Sequence, residues 1–120
     1  MLELECPAEL RSAAMAALDA CDVRDGHLSV ELVDPDRIRE LNREHRGLDR
    51  PTDVLSFPVD GVGPATGPRE LGDVVICPAH TEDLEEAVVH GVLHLAGHDH
   101  EADAGEMLAL QDQVMERLRA

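Results

Sequence analysis

Four of the chain's seven histidines fall within eleven residues, in "HGVLHLAGHDH" (90–100). Neutral imidazole is the commonest metal ligand among side chains, so the cluster raises metal chemistry first. Residues four apart share one face of an α-helix, roughly 6 Å apart, which lets His90 and His94 address one ion. His98 continues that spacing, but an unbroken helix would carry it about 12 Å along the axis from His90. Zn–N bonds of about 2.0–2.1 Å cannot span that separation. Gly97 offers the way round, because glycine takes the left-handed conformation that ends a helix and reverses the chain. After such a turn His100 can fold back over the His90/His94 face. The expected ligands are therefore His90, His94 and His100, with the fourth position open. Zn2+, one ion per chain, is the expected cofactor, although three imidazoles also accept other divalent transition metals such as nickel or copper. His98 could point into the cleft or into solvent. Asp99 could orient a ligand histidine from behind or simply hold the turn.

The pattern HxxxHxxGxxH is the arrangement of the metzincin zinc proteases without their glutamate. In those enzymes the acid beside the first histidine takes a proton from metal-bound water. Gly91 stands there in this chain and cannot do so, which disfavours peptide hydrolysis by that route. What remains is a Lewis acid able to activate water towards an ester or phosphodiester, provided another group steadies the charge.

The elements that must position these residues are readable from periodicity and turn signals. "LELE" (2–5) alternates as a short strand, and "PAELRSAAMAALDAC" (7–21) has helical spacing. "HLSVELV" (27–33) alternates again. Asp34 followed by Pro35 is a helix start that predicts a helix to about His45. Val54 to Phe57 is a short extended run within "PTDVLSF", where Thr52 and Ser56 could bind a ligand or satisfy local backbone. "GVGPATGPRE" (61–70) reads as loop. "LGDVVICP" (71–78) reads as a buried strand ended by Pro78, and 81–96 as the amphipathic helix bearing the first histidines. A last helix is predicted from about Ala102 to Leu118, with Met107, Leu108, Leu110, Val114, Met115 and Leu118 as its apolar face. The order βαβαββαα implies a single α+β domain over residues 1–120, with a small mixed β-sheet of about four strands packed against helices.

Composition narrows the function further. The 120 residues carry a formal charge of −16, and all ten bases are arginine. An acidic surface repels phosphate backbones at long range, so any nucleic-acid role must rest on a local positive site. That argues against a general RNA-binding protein. Phe57 is the sole aromatic residue, leaving the core to aliphatic side chains. No apolar run approaches membrane-spanning length, and the acidic N-terminus is unlike a signal peptide. A cytoplasmic protein is expected, with Cys6, Cys21 and Cys77 as reduced, half-buried or buried thiols.

Three segments carry a family resemblance. "HGVLHLAGHDH" is similar to the HGxLHLxGxDH signature of the YbeY family, bacterial endoribonucleases implicated in ribosomal RNA maturation. "LNREHRGLDRPTDVLSFP" (41–58) and "LGDVVIC" (71–77) resemble that family's two other motifs, in the same order. The resemblance implies a zincin-like metal helix followed by a C-terminal helix. It implies His90, His94 and His100 as metal ligands and Arg46 as a functional residue near the metal. A guanidinium pairs bidentately with phosphate and could stabilise charge built up during cleavage; Arg46 could otherwise simply complement a helix C-terminus. The implied activity is a zinc-dependent, single-strand-specific endoribonuclease in ribosomal RNA maturation and ribosome quality control. Its expected partners are single-stranded ribosomal RNA and the ribosome or ribosome-associated proteins, with no DNA, no membrane and a monomeric state. Another metallohydrolase of metallopeptidase type, or a non-catalytic ribosome-associated metal-binding protein, are the alternatives. Two departures stand out: the segment between Cys77 and His90 is short, which would open one wall of the cleft, and His98 replaces the family's usual tyrosine.

Overall fold

The computed structural model describes residues 2–59 and 69–120. Its elements are β1 (Leu2–Glu5), α1 (Arg11–Ala20), β2 (Gly26–Leu32), α2 (Pro35–Arg46), β3 (Val54–Pro58), β4 (Glu70–Ile76), α3 (Leu84–Leu95) and α4 (Glu106–Leu118). This is the expected βαβαββαα order. Of the loop predicted at 61–70, residues 61–68 lie outside the described residues. The strands form one four-stranded sheet in the order β1-β2-β4-β3, with β1, β2 and β4 parallel and β3 antiparallel at the edge. The mixed sheet and its helices are the α+β architecture read from the sequence.

Several boundaries move, each for a local reason. The first turn after Pro7 is a 3-10 turn, Ala8–Leu10, and the α-helix proper begins at Arg11. Helix α3 begins at Leu84 rather than at residue 81, because Asp83 caps it by accepting from the Glu86 amide at 3.2 Å. Helix α4 begins at Glu106 rather than near Ala102. Asp103 accepts from the amides of Gly105 and Met107 at 2.8 and 3.0 Å, tying up the chain ahead of the helix. Those bonds favour the ionised carboxylate and hold the Asp103 pKa below its ordinary value. Helix α2 follows expectation: Asp34 accepts from the Arg37 amide at 2.8 Å, and left-handed Gly47 closes the far end.

The main core lies between the sheet and helices α1, α3 and α4. Leu28, Val74 and Ile76 from the strands meet Val88, Val89, Val92 and Leu93 from α3. A smaller cluster of Ile38, Leu55 and Cys77, with Leu41 and Phe57 packed against it, fastens α2 to β3. Alternation along a strand sends successive side chains to opposite faces, so Ser56 looks towards α3 while Leu55 and Phe57 look towards α2. The edge strand is thus clasped by a different helix on each face.

Helix α3 lies close against the sheet at Gly91. A Cβ built there would sit 2.5 Å from Val74 Cγ1 and 3.2 Å from Ser56 Oγ. The Ser56 hydroxyl donates to the Gly91 carbonyl at 3.0 Å, locking the helix to the edge strand at the same point. An alanine at 91 gains about 1 kcal/mol of helix propensity but overpacks a stiff valine, at a cost of about 1–3 kcal/mol. Gly91→Ala is therefore expected to lower the chemical-denaturation midpoint; an unchanged or raised midpoint would mean that the helix does not lie this close to the sheet.

Candidate metal centre

His90 and His94 stand one turn apart on α3, a helix held in place by its buried apolar face. The helix stops one residue after Leu95 at Ala96, and Gly97 follows with φ of 99°. The Gly97 amide donates to the His94 carbonyl at 3.0 Å, and the His98 amide donates to the Leu93 carbonyl at 3.1 Å. These two bonds are the Schellman closure, which needs a left-handed residue at the glycine position. The reversal carries His100 back over the helix, as the spacing predicted.

The three rings close on one another. Their centroids are 4.8 Å apart for His90–His94, 5.0 Å for His90–His100 and 5.2 Å for His94–His100. One nitrogen from each lies within 4.8 Å of the others, close enough for all three to hold one ion. Among the described residues this is the only group of three or more histidine, cysteine, aspartate or glutamate side chains so placed. Two further observations fit a cation. Burial, aided by the neighbouring His90 and His100, pushes the His94 pKa below its ordinary value, which keeps its lone pair free. His100 Nδ1 is buried without a hydrogen-bond partner, an expensive condition for a polar atom.

His90 is held from behind. Its Nδ1 lies 2.8 Å from Oε1 of Gln111, a residue of α4 that is only 8% exposed. Sequence reading missed Gln111 because it drew the apolar face of α4 through Leu108 and Leu110. Leu108 is in fact 45% exposed, while Leu110 and Leu118 are half-buried and pack against the core beside buried Met107, Gln111, Val114 and Met115. The signal was available in the 107, 111, 114, 118 spacing, which places a glutamine in the middle of a core-facing stripe.

A cleft of 790 Å³ opens beside the triad, along the edge strand β3. Its wall includes Thr52, Asp53 and the whole of β3, and it takes in Arg46 and His98–Glu101. The exposed Arg46 side chain has neither an ion pair nor a hydrogen bond among the described residues. Its helix is brought to the cleft by the neighbouring His45, whose ring lies 4.7 Å from that of Phe57, centroid to centroid. Asn42, buried in the same helix, donates to the Arg50 carbonyl at 2.9 Å and fixes the turn that follows. His98 is half-buried on the cleft wall rather than in open solvent. Asp99 accepts from the Glu101 amide at 3.0 Å, so its carboxylate holds the turn. Ser56 is committed to the Gly91 carbonyl and Thr52 to Asp53. The three cysteines are thiols, Cys77 buried and Cys6 and Cys21 half-buried.

The Gly91 position is closed sterically as well as chemically, since Val74 and Ser56 occupy the space a side chain would need. The short segment before α3 makes only a 3-10 turn, Pro78–His80, and a second cleft of 690 Å³ lies between it and α4. No helix among the described residues is long and apolar enough to cross a membrane.

A metal that binds the folded triad and not the unfolded chain stabilises by about 2.7 kcal/mol when present at 100 times its Kd. Zinc should therefore raise the unfolding temperature, a chelator should reverse the rise, and His94→Ala should abolish it. A zinc-dependent rise that survives in His94→Ala would place the ion elsewhere.

Comparison with known proteins agrees with the geometry. The family model described as endoribonuclease YbeY matches residues 4–119. An endoribonuclease YbeY of Rubrobacter xylanophilus is 52% identical over 99 residues, covering 80% of this chain and 70% of the relative. That of Persephonella marina is 36% identical over 126 residues, covering 92% and 82%. A Thermotoga maritima protein solved in solution superposes with a TM-score of 0.57 at 30% identity, over 98% of this chain and 89% of that one. A match across nearly the whole chain, with the three histidines already gathered at the end of α3, means that this protein belongs to the YbeY endoribonuclease family.

Proposed function

We propose that the protein is a zinc-dependent, single-strand-specific endoribonuclease that acts in ribosomal RNA maturation and ribosome quality control in the cytoplasm, on RNA presented by the ribosome or its associated proteins. The observation that carries the reading is the convergence of His90, His94 and His100 beside an open cleft that also takes in Arg46. His90, His94 and His100 would hold the ion, and a zinc ion bound there supplies Lewis acidity towards a phosphoryl oxygen or water. Arg46 would clamp a non-bridging phosphate oxygen pair; nothing else among the described residues competes for its guanidinium. His98 and Asp99 are the groups nearest in sequence that could move a proton. Of these His98 is the freer, because Asp99 already accepts from the Glu101 amide.

Electrostatics ties substrate binding to the ion. The cleft wall carries the carboxylates of Asp53, Asp99 and Glu101 against the single guanidinium of Arg46. Together with the chain's charge of −16, such a wall repels a phosphate backbone until a divalent cation offsets it. The peptidase alternative is disfavoured by the filled space at Gly91, where no acid side chain fits.

Zinc-loaded protein, His94→Ala and Arg46→Glu should be compared on single-stranded ribosomal RNA fragments. His94→Ala is expected to lose cleavage altogether, and Arg46→Glu to lose about 10²–10³-fold in rate, as when one preorganised charge-stabilising donor is removed. Cleavage that survives in His94→Ala would sink the metal mechanism. Loss in that variant alone would remove Arg46 from the reaction.

A further inference from the structure

We infer that Gln111 is a positioning residue that fixes His90 in the one tautomer able to bind a metal, so that helix α4 sets the affinity of the site. The inference rests on the metal-centre reading above and concerns a residue that touches neither ion nor substrate. The Gln111 Oε1 atom lies 2.8 Å from His90 Nδ1. A carboxamide oxygen only accepts, so Nδ1 carries the proton and the lone pair is left on Nε2. A neutral imidazole free to exchange tautomers would spend part of its time with Nε2 protonated and unable to ligate. The hydrogen bond removes that population and holds the ring plane as well.

Burial supports a specific role. Gln111 is one of only two polar or charged side chains buried among the described residues. It sits between Met107 and Val114, where a leucine would pack without any unmet hydrogen-bonding group. Burying an amide among apolar neighbours costs free energy unless it is partnered. His90 is the partner the structure supplies. The bond also crosses from α4 to α3, so the ligand histidines are held by three successive parts of the chain: α3 itself, the Gly97 turn and α4.

The test uses the full chain and two substitutions. Gln111→Leu keeps the volume but cannot accept; Gln111→Glu keeps the acceptor. Three quantities are read: zinc affinity by competition with a chromophoric chelator, the His90 tautomer in metal-free protein by nitrogen NMR at mildly alkaline pH, and the metal-free unfolding temperature. Gln111→Leu should weaken zinc binding about 10–100-fold, the usual cost of losing an outer partner of a metal histidine. It should also give a mixed His90 tautomer, with the metal-free unfolding temperature kept. Gln111→Glu should restore both the affinity and the Nδ1-protonated form. Undiminished affinity and an unchanged tautomer in Gln111→Leu would overturn the inference. So would equal loss in both variants accompanied by a lowered metal-free unfolding temperature, which marks a purely structural residue. A wild-type chain that binds no zinc overturns the metal-centre reading itself, and that result is distinct because it needs no variant.

Discussion

The absence of a side chain at Gly91 lets helix α3 settle against the sheet, and the geometry of the site follows from that contact. With Val74 Cγ1 only 2.5 Å from where a Cβ would be, the helix backbone lies closer to the sheet than any side chain at this position would allow. The Ser56 hydroxyl fastens the Gly91 carbonyl to the edge strand, which fixes the helix along its axis too. His90 and His94 are then delivered to the margin of β3, the strand that lines the cleft. The same glycine that removes a protease's acid is thus the residue that seats the metal helix. Chemistry and packing make one demand at this position.

What the sequence disclosed well was local. The His90/His94 pairing follows from helical spacing, and the return of His100 follows from what a glycine permits at a helix end. Both depend on a few neighbouring residues and both appear as expected, down to the left-handed Gly97. Asp34 and Pro35 marked the start of α2 for the same reason. The failures are equally physical. The start of α4 depends on Asp103 capturing backbone amides ahead of it, a choice between competing local bonds that periodicity does not weigh. Gln111 went unseen because hydrophobicity was used to draw the face, and the residue that matters there is the polar exception. The place of Arg46 beside the cleft is a long-range outcome, set by the α2–β3 cluster and the His45–Phe57 contact. Only the family resemblance pointed to it from sequence.

The charge distribution explains how so acidic a chain can serve an RNA-directed role. Ion pairs such as Arg37–Glu40, Arg39–Asp49 and Arg119–Asp83 engage several of the ten arginines on the surface. Exposed pairs of this kind add little stability, but they leave few cations for a phosphate backbone. Arg46 is uncommitted and lies in the cleft wall. An ion held by His90, His94 and His100 would bring positive charge to the cleft itself, so that attraction would be confined to the point of reaction. The rest of the surface discourages non-specific RNA.

The proposed chemistry depends on one metal ion held by three imidazoles at the end of α3. Crystals grown with zinc and measured on either side of its absorption edge test this directly, because anomalous scattering locates the ion without assuming its ligands. One dominant peak is expected in each chain, enclosed by His90, His94 and His100. A dominant peak elsewhere, at a cysteine or in the second cleft between the Pro78–His80 turn and α4, would contradict it, as would zinc-saturated crystals with no peak at the triad.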